Sequence, residues 1–174
     1  MYLGFDPGMS GAIAGIYAEG HAVVFDMPTV VTVRTRREVV ARELAAIVAP
    51  LAAGGDAVAV FEQPIAMPSQ ASQSTLAAGR NAGLIEGVLA ALGIPYESTY
   101  PAKWKPAMGL PKGALKDASR ARAMALFPAL AERLSRKKDD GRAEALLLAE
   151  WRRRQDAAVA VAWVEAIDTA EGAG

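Results

Sequence analysis

The sequence predicts a single α/β domain built on a five-stranded mixed sheet, three strands antiparallel and two more added in parallel, flanked by helices. Three features lead there. The chain opens with three short apolar runs separated by tight glycine-containing turns. The apolar spacing then changes from strand-like to helical near residue 36. After Gly54-Gly55 it alternates strand, helix, strand, helix to the end.

Residues 2–6 form an apolar run that ends in an acid, Asp6. Pro7-Gly8-Met9-Ser10-Gly11 is a turn, Ala12–Ala18 a second run, Glu19-Gly20 another turn, and His21–Phe25 a third strand. From about Arg36, residues Val39, Val40, Leu44, Ile47, Val48 and Leu51 fall on one helical stripe, which Gly54-Gly55 ends. Ala57–Phe61 reads as a buried strand with Glu62 at its carboxyl end. Residues 70–92 read as a helix stopped by Gly93, and Ile94–Tyr100 as a fifth strand. Pro101, Pro106 and Pro111 break up a basic loop or short-helix region. A helix follows over about 115–127, and a last one starts near Asp140 and runs to about Ala166. We expect one domain over residues 1–170 and a frayed tail over 171–174, with no internal repeat.

Just over half of the 174 residues are apolar, which excludes a disordered chain and supports a real core. The absence of cysteine excludes disulfides, thiolate zinc sites and a cysteine nucleophile. No basic, apolar leader opens the sequence and charge interrupts every apolar run, so we expect no membrane span and a cytoplasmic protein. The formal net charge is zero but unevenly spread. Residues 1–100 carry five Arg and Lys against nine Asp and Glu. Residues 101–154 carry fourteen against six, a net of +8, and the last twenty carry four acids and no base. A basic excess of that size is a footprint for a phosphate backbone.

The acids carry the chemistry. Asp6 and Glu62 each follow a buried apolar strand directly, and in open α/β sheets sites collect beyond the carboxyl ends of strands. An acid there is costly unless it is paired or holds a cation. If the two strands are neighbours, Asp6 and Glu62 converge. Asp140 and Glu144 lie four residues apart at the head of the last helix, hence on one face and about one turn apart. Two acids so placed repel unless something positive sits between them, and a hard divalent cation with oxygen ligands meets that need. Either Asp139 or Asp140 can cap the helix. His21, the single histidine, sits in a strand remote from these acids, so a histidine-dependent triad is excluded.

Gly4-Phe5-Asp6-Pro7-Gly8 with Ser10-Gly11-Ala12, then Phe61-Glu62-Gln63, then Gly141-Arg142-Ala143-Glu144-Ala145-Leu146, resembles in order and spacing the three acidic motifs of the RuvC-type Holliday junction resolvases. The resemblance spans roughly residues 2–150, and its style looks more like the phage-encoded branch than the cellular one. It implies an RNase H-like fold and a structure-selective endodeoxyribonuclease that resolves four-way junctions in a bacterial or phage-infected cell. The implied chemistry is phosphodiester hydrolysis with two Mg²⁺ ions, for which Mn²⁺ should substitute. The metal ligands so implied are Asp6, shared, with Glu62 on one ion and Asp140 and Glu144 on the other. One departure stands out: Gly141 occupies the position where cellular members place Asp or His, so the fourth ligand falls to Asp140, with Asp139 as its understudy.

The same resemblance implies essential lysines in the segment after the fifth strand, and Lys103, Lys105 and Lys116 inherit that role, Lys103 as a catalytic group. With Trp104 and Lys112 they form the expected DNA-binding set, Trp104 packing on sugar or base, or else in the core. Ile65-Ala66-Met67-Pro68 corresponds to a family segment that probes bases, here without an aromatic. Ser10 in its glycine-rich turn is also a phosphate-binding feature of actin-type and sugar-kinase ATPases, whose fold needs two such domains. Expected partners are branched DNA and a second copy of the chain, because a four-way junction has two-fold symmetry. The helix over 70–92, with Leu76, Leu84, Ile85, Val88 and Leu89, is a candidate interface and equally a candidate for core packing. Other readings keep the fold and change the role: cutting of forks, flaps or RNA–DNA hybrids, or junction binding without cleavage.

Overall fold

The computed structural model describes residues 1–32, 37–65, 72–115 and 117–171. Strands β1 (Tyr2–Asp6), β2 (Ala12–Ile16) and β3 (Ala22–Asp26) form the antiparallel meander, and β6 (Val58–Glu62) and β7 (Tyr96–Thr99) add in parallel. The sheet order is β3-β2-β1-β6-β7, which is the expected five-stranded mixed sheet. It places β1 and β6 side by side at the centre. Phe5 pairs with Phe61, so the next residues, Asp6 and Glu62, lie adjacent at the carboxyl ends of the two strands.

Alternation along the strands separates two cores. Leu3, Phe5, Ile13, Ala59 and Phe61 point to one face, where they pack with α1 (Ala41–Ala52) and α2 (Ser72–Ala91) residues Leu44, Val48, Ile85 and Leu89. Ala12, Ala14, Val24 and Val60 point to the other. There they meet α3 (Pro101–Ala107), α4 (Ala118–Leu126) and the head of α5 (Asp140–Glu171). Asp6 and Glu62 share the parity of Gly4 and Val60, so both carboxylates belong to the α5 face.

Two segments differ from the sequence expectation. A two-stranded hairpin, β4 (Thr29–Val31) with β5 (Arg37–Val39), precedes α1, which therefore starts at Ala41 instead of near Arg36. Val39 is buried as expected, but from a strand. The proline-broken basic region contains a true helix, α3. Pro101 stands in its first turn, where a missing N–H costs nothing, and Pro106 in its last. Two 3-10 turns, Pro128–Leu134 and Lys137–Asp139, link α4 to α5.

Helix α5 crosses β1 at Gly4. A Cβ there would lie 2.6 Å from the Ala149 amide nitrogen and would also overlap the Ala145 carbonyl oxygen, both in the helix backbone. Neither atom can yield without moving the helix. Gly4→Ala is therefore expected to destabilise the fold by about 1–3 kcal/mol or more, as overpacking does. At about 2–4 °C per kcal/mol for a chain this size, calorimetry should show a Tm lowered by roughly 5–10 °C. An unchanged Tm would mean that the helix is not seated on β1 in this way.

Candidate active site

Two glycines let the head of α5 descend onto the carboxyl end of β1. Gly4 admits the helix at Ala145 and Ala149, and Gly141 admits it at the β1–β2 turn. A Cβ on Gly141 would come within 2.5 Å of the Ser10 carbonyl oxygen and 2.8 Å of Asp6 Oδ2. Glycine at this position, a departure from the cellular pattern, is thus a packing requirement here. The residue one turn before Ala145 sits over Asp6, and Glu144 faces the same space.

Asp6 is partly buried and its Oδ1 accepts a hydrogen bond from the Gly8 backbone N–H at 3.0 Å. Burial pushes its pKa up to about 6. The Gly8 hydrogen bond opposes that rise, Glu144 adds to it, and Lys105 opposes it. Glu62 rises further, to about 7, again chiefly through burial, then through the charge of Glu144; Trp104 and Lys105 act against the rise, and Asp6 adds to it. These mutual effects show three carboxylates, from β1, β6 and α5, sharing one electrostatic environment.

Helix α3 supplies the counter-groups. Trp104, fully buried, donates its indole N–H to Glu62 Oε2 at 2.9 Å, and the next residue, Lys105, places Nζ 2.7 Å from Glu144 Oε1. The Lys105 ammonium also lies 5.2 Å from the Trp104 ring centroid. Ser119 at the start of α4 donates to the same Glu144 oxygen at 3.2 Å. Of the two alternatives for Trp104, sugar or base packing and the core, the structure has the core: the side chain is fully buried and its indole N–H orients Glu62. Lys103 is exposed, with Nζ 5.3 Å from the centroid of the Trp151 ring, so the lysine at the carboxylates is Lys105. The residues that sequence reasoning missed are Ser119 and Arg120. Neither lies near an acid of the site in sequence, and only the packing of α4 on α5 brings them there.

Asp140 and Glu144 do share a face: both line a groove of about 700 Å³ with Lys105, Pro106, Lys112 and Ser119. Each acid has its own cation. Arg120 Nε bonds Asp140 Oδ1 at 3.0 Å, while its far end binds Asp117 at 2.5 Å. Asp139 is turned away from the groove and is only 2% exposed. Burial alone would raise its pKa, but the Arg136 guanidinium and backbone N–H hold it below the usual range. Its carboxylate closes the 3-10 turn that leads into α5. Lys112 lies exposed on the groove, whereas Lys116 and residues 66–68 fall outside the described residues. His21 is exposed and stacks on Tyr17 with ring centroids 4.1 Å apart, remote from the acids.

Among the described residues no three acids are drawn together closely enough to hold a metal ion as their side chains stand. The donor chemistry nonetheless fits one. Three carboxylates on three adjoining elements, two of them with raised pKa values, form an all-oxygen set suited to a hard divalent cation. Lys105 now provides the positive charge they need.

Long helix, acid-tipped central strands and sheet order together define a RuvC-like fold. The structure aligns with two Thermus thermophilus RuvC structures. One is described as RuvC in complex with a Holliday junction substrate, at TM-score 0.55 and 15% identity over 88% of this chain and 94% of that one. The other is RuvC alone, at 0.54 and 16%, over 88% and 95%. In sequence the chain is 34% identical over 148 residues to the chloroplastic Holliday junction resolvase MOC1 of Chlamydomonas reinhardtii, a match taking in 74% of this chain. The chain spans only 17% of that protein's length. No family model matches it. The resemblance to RuvC-type resolvases carried by the three motifs is borne out.

The raised pKa values set a pH signature. An acid whose folded pKa exceeds its unfolded value, about 4, binds more protons when folded. Stability then falls as pH rises from about 4 through the folded values of about 6 and 7, and levels off above them. A bound cation reverses this by favouring the ionised forms. Millimolar Mg²⁺ is thus expected to raise the Tm at pH 8 by several degrees and hardly at all at pH 5. Equal shifts at both values would show that the ion does not act at these carboxylates.

Proposed function

We propose that this chain is a metal-dependent endonuclease that resolves four-way DNA junctions by paired nicks. The observation that carries the reading is that Asp6 and Glu62, at the ends of adjoining strands, share an electrostatic environment with Glu144, which lines a groove with Lys105, Lys112 and Asp140. The named relatives, junction resolvases by their descriptions, support the choice of substrate.

Asp6, Glu62 and Glu144 would hold divalent cations, with Asp140 joining Glu144 on the outer side and Arg120 then held by Asp117 alone. A pair of Mg²⁺ ions held by these carboxylates would supply water activation at neutral pH and neutralise charge on the phosphate and the leaving 3′ oxygen. Lys105, freed from Glu144, keeps its ammonium in the groove, where it can pair with a phosphate oxygen. Trp104 keeps Glu62 aimed throughout, since its hydrogen bond is made by a neutral donor on a buried ring. Lys112, with Lys103 further out, would neutralise flanking phosphates.

Two matched cuts call for a two-fold dimer. Helix α2 offers the surface, though not through the whole expected set. Ile85, Val88 and Leu89 are buried in the core, whereas Leu76 is 74% exposed. On its exposed side Gly79, Gly83 and Gly87 stand four residues apart with open space beyond each, allowing close approach of a second helix. Among the described residues no helix is long and apolar enough to cross a membrane.

The test is incubation with labelled four-way junction, fork, flap and linear duplex in Mg²⁺. The junction should be cut in paired nicks and the duplex left intact, and EDTA should abolish cutting. Asp6→Asn should lower turnover by about 10³-fold, several kcal/mol of lost metal assistance, while junction affinity is kept. Cutting in EDTA would overturn the metal reading, and preference for fork or flap over junction would reassign the substrate.

A further inference from the structure

The site has a second flank. A cleft of about 200 Å³ opens beside the β1–β2 turn, lined by Ser10, Asp26, Arg37, Arg136, Lys138 and Asp139 among others. Ser10 connects it to the acids, because the Ser10 carbonyl and Asp6 Oδ2 both crowd the same point at Gly141. The two acids of this cleft are already neutralised. Asp26 accepts two hydrogen bonds of 2.6 Å from Arg142, and Asp139 is held by Arg136 at 2.8 Å with Arg142 at 3.5 Å. That leaves Arg37 and Lys138, both exposed and without an acidic partner among the described residues. The Arg37 guanidinium spends one end on the Thr29 hydroxyl at 2.8 Å, which fixes it on the β4–β5 hairpin. Ser10, exposed in its turn, adds a hydroxyl donor.

A cleft with two surplus positive charges, a guanidinium anchored at one end and a free hydroxyl is matched to a phosphodiester. Its place matters as much as its charge. The cleft adjoins the end of β3 and the β1–β2 turn, the Lys105 groove is lined by the helix that follows β7, and β1 and β6 with their acids stand between β2 and β7 in the sheet. We propose that the cleft is a second phosphodiester subsite, which takes the backbone of the cleaved DNA strand beyond the carboxylates. Phosphates gripped on both sides hold the scissile one over the acids, and the hairpin absent from the sequence reading acquires a role. The inference rests on the nuclease reading for the identity of the ligand, but not on metal binding or on four-way specificity.

The test uses the full chain with Arg37→Ala and Lys138→Ala combined. Arg136 is left in place because it holds Asp139 in the 3-10 turn that leads into α5. Binding of a labelled four-way junction and of a plain duplex is followed by anisotropy in EDTA over a range of NaCl concentrations. For the double variant we expect affinity about tenfold weaker near 0.1 M salt. The slope of log K against log salt should flatten by about 0.9 for each phosphate that is no longer neutralised. A control with Arg42→Ala and Arg154→Ala, which removes the same charge elsewhere, should leave the slope unchanged. An unaltered slope in the cleft variant, or equal flattening in the control, overturns the subsite. If the unchanged chain binds duplex and junction alike, four-way specificity fails while the cleft is still read on the duplex. If it binds neither, both proposals fall.

Discussion

Helix α5 lies so close to β1 that Gly4 has no room for a side chain, and the positions of the acids follow from that separation. Glu144 precedes Ala145, whose carbonyl oxygen occupies the space a Cβ at Gly4 would need, so Glu144 hangs over the end of the strand where Asp6 stands. Gly141 repeats the constraint one turn earlier, against Ser10 and Asp6. Parallel pairing of β1 with β6 then adds Glu62 at the adjoining strand end. Two glycines and one strand register thus bring together three carboxylates separated by up to 138 positions in the chain.

Such a cluster is uncomfortable without a cation, and the structure shows how the chain tolerates it. Burial and mutual repulsion raise Asp6 and Glu62 towards neutrality, and a single short helix answers with Trp104 on Glu62 and Lys105 on Glu144. The two responses differ in kind. The indole is a neutral donor on a buried ring, whereas the ammonium of Lys105 is a partly exposed positive charge on an oxygen that a metal ion would need under the proposed function. Helix α3 therefore combines a buried orienting contact with a counter-charge at the groove. Asp140 with Arg120, one turn out, repeats the pairing of an acid with a counter-charge.

Much of this was legible in the sequence, and the rest was hidden for identifiable reasons. Short apolar runs ending in Asp6 and Glu62 pointed to both strands and both acids, and the four-residue spacing of Asp140 and Glu144 placed them on one helical face. The β4–β5 hairpin was missed because Val39 and Val40 also fit the stripe of α1, and a three-residue strand carries too little pattern to compete. Lys103, not Lys105, was expected as the catalytic lysine while the segment was read as a loop or short helix. In a helix, residues two apart point to opposite sides, so one lysine meets Trp151 and the other Glu144. Pro101 as a first-turn proline was the signal that could have separated them, with Trp104 and Met108 then falling on one buried face. The partner of Asp139 was also within reach, since Arg136 stands three residues before it.

The central claim is that Gly4 and Gly141 seat α5 so that Asp6, Glu62 and Glu144 form one cation-binding site. A crystal grown with Mn²⁺, with anomalous differences recorded near the manganese absorption edge, tests it most directly. The account predicts an anomalous peak bounded by carboxylate oxygens of Asp6, Glu62 and Glu144, with Lys105 moved off Glu144 and the Trp104 hydrogen bond to Glu62 retained. A peak elsewhere, or none at a saturating concentration with Lys105 still on Glu144, would contradict it.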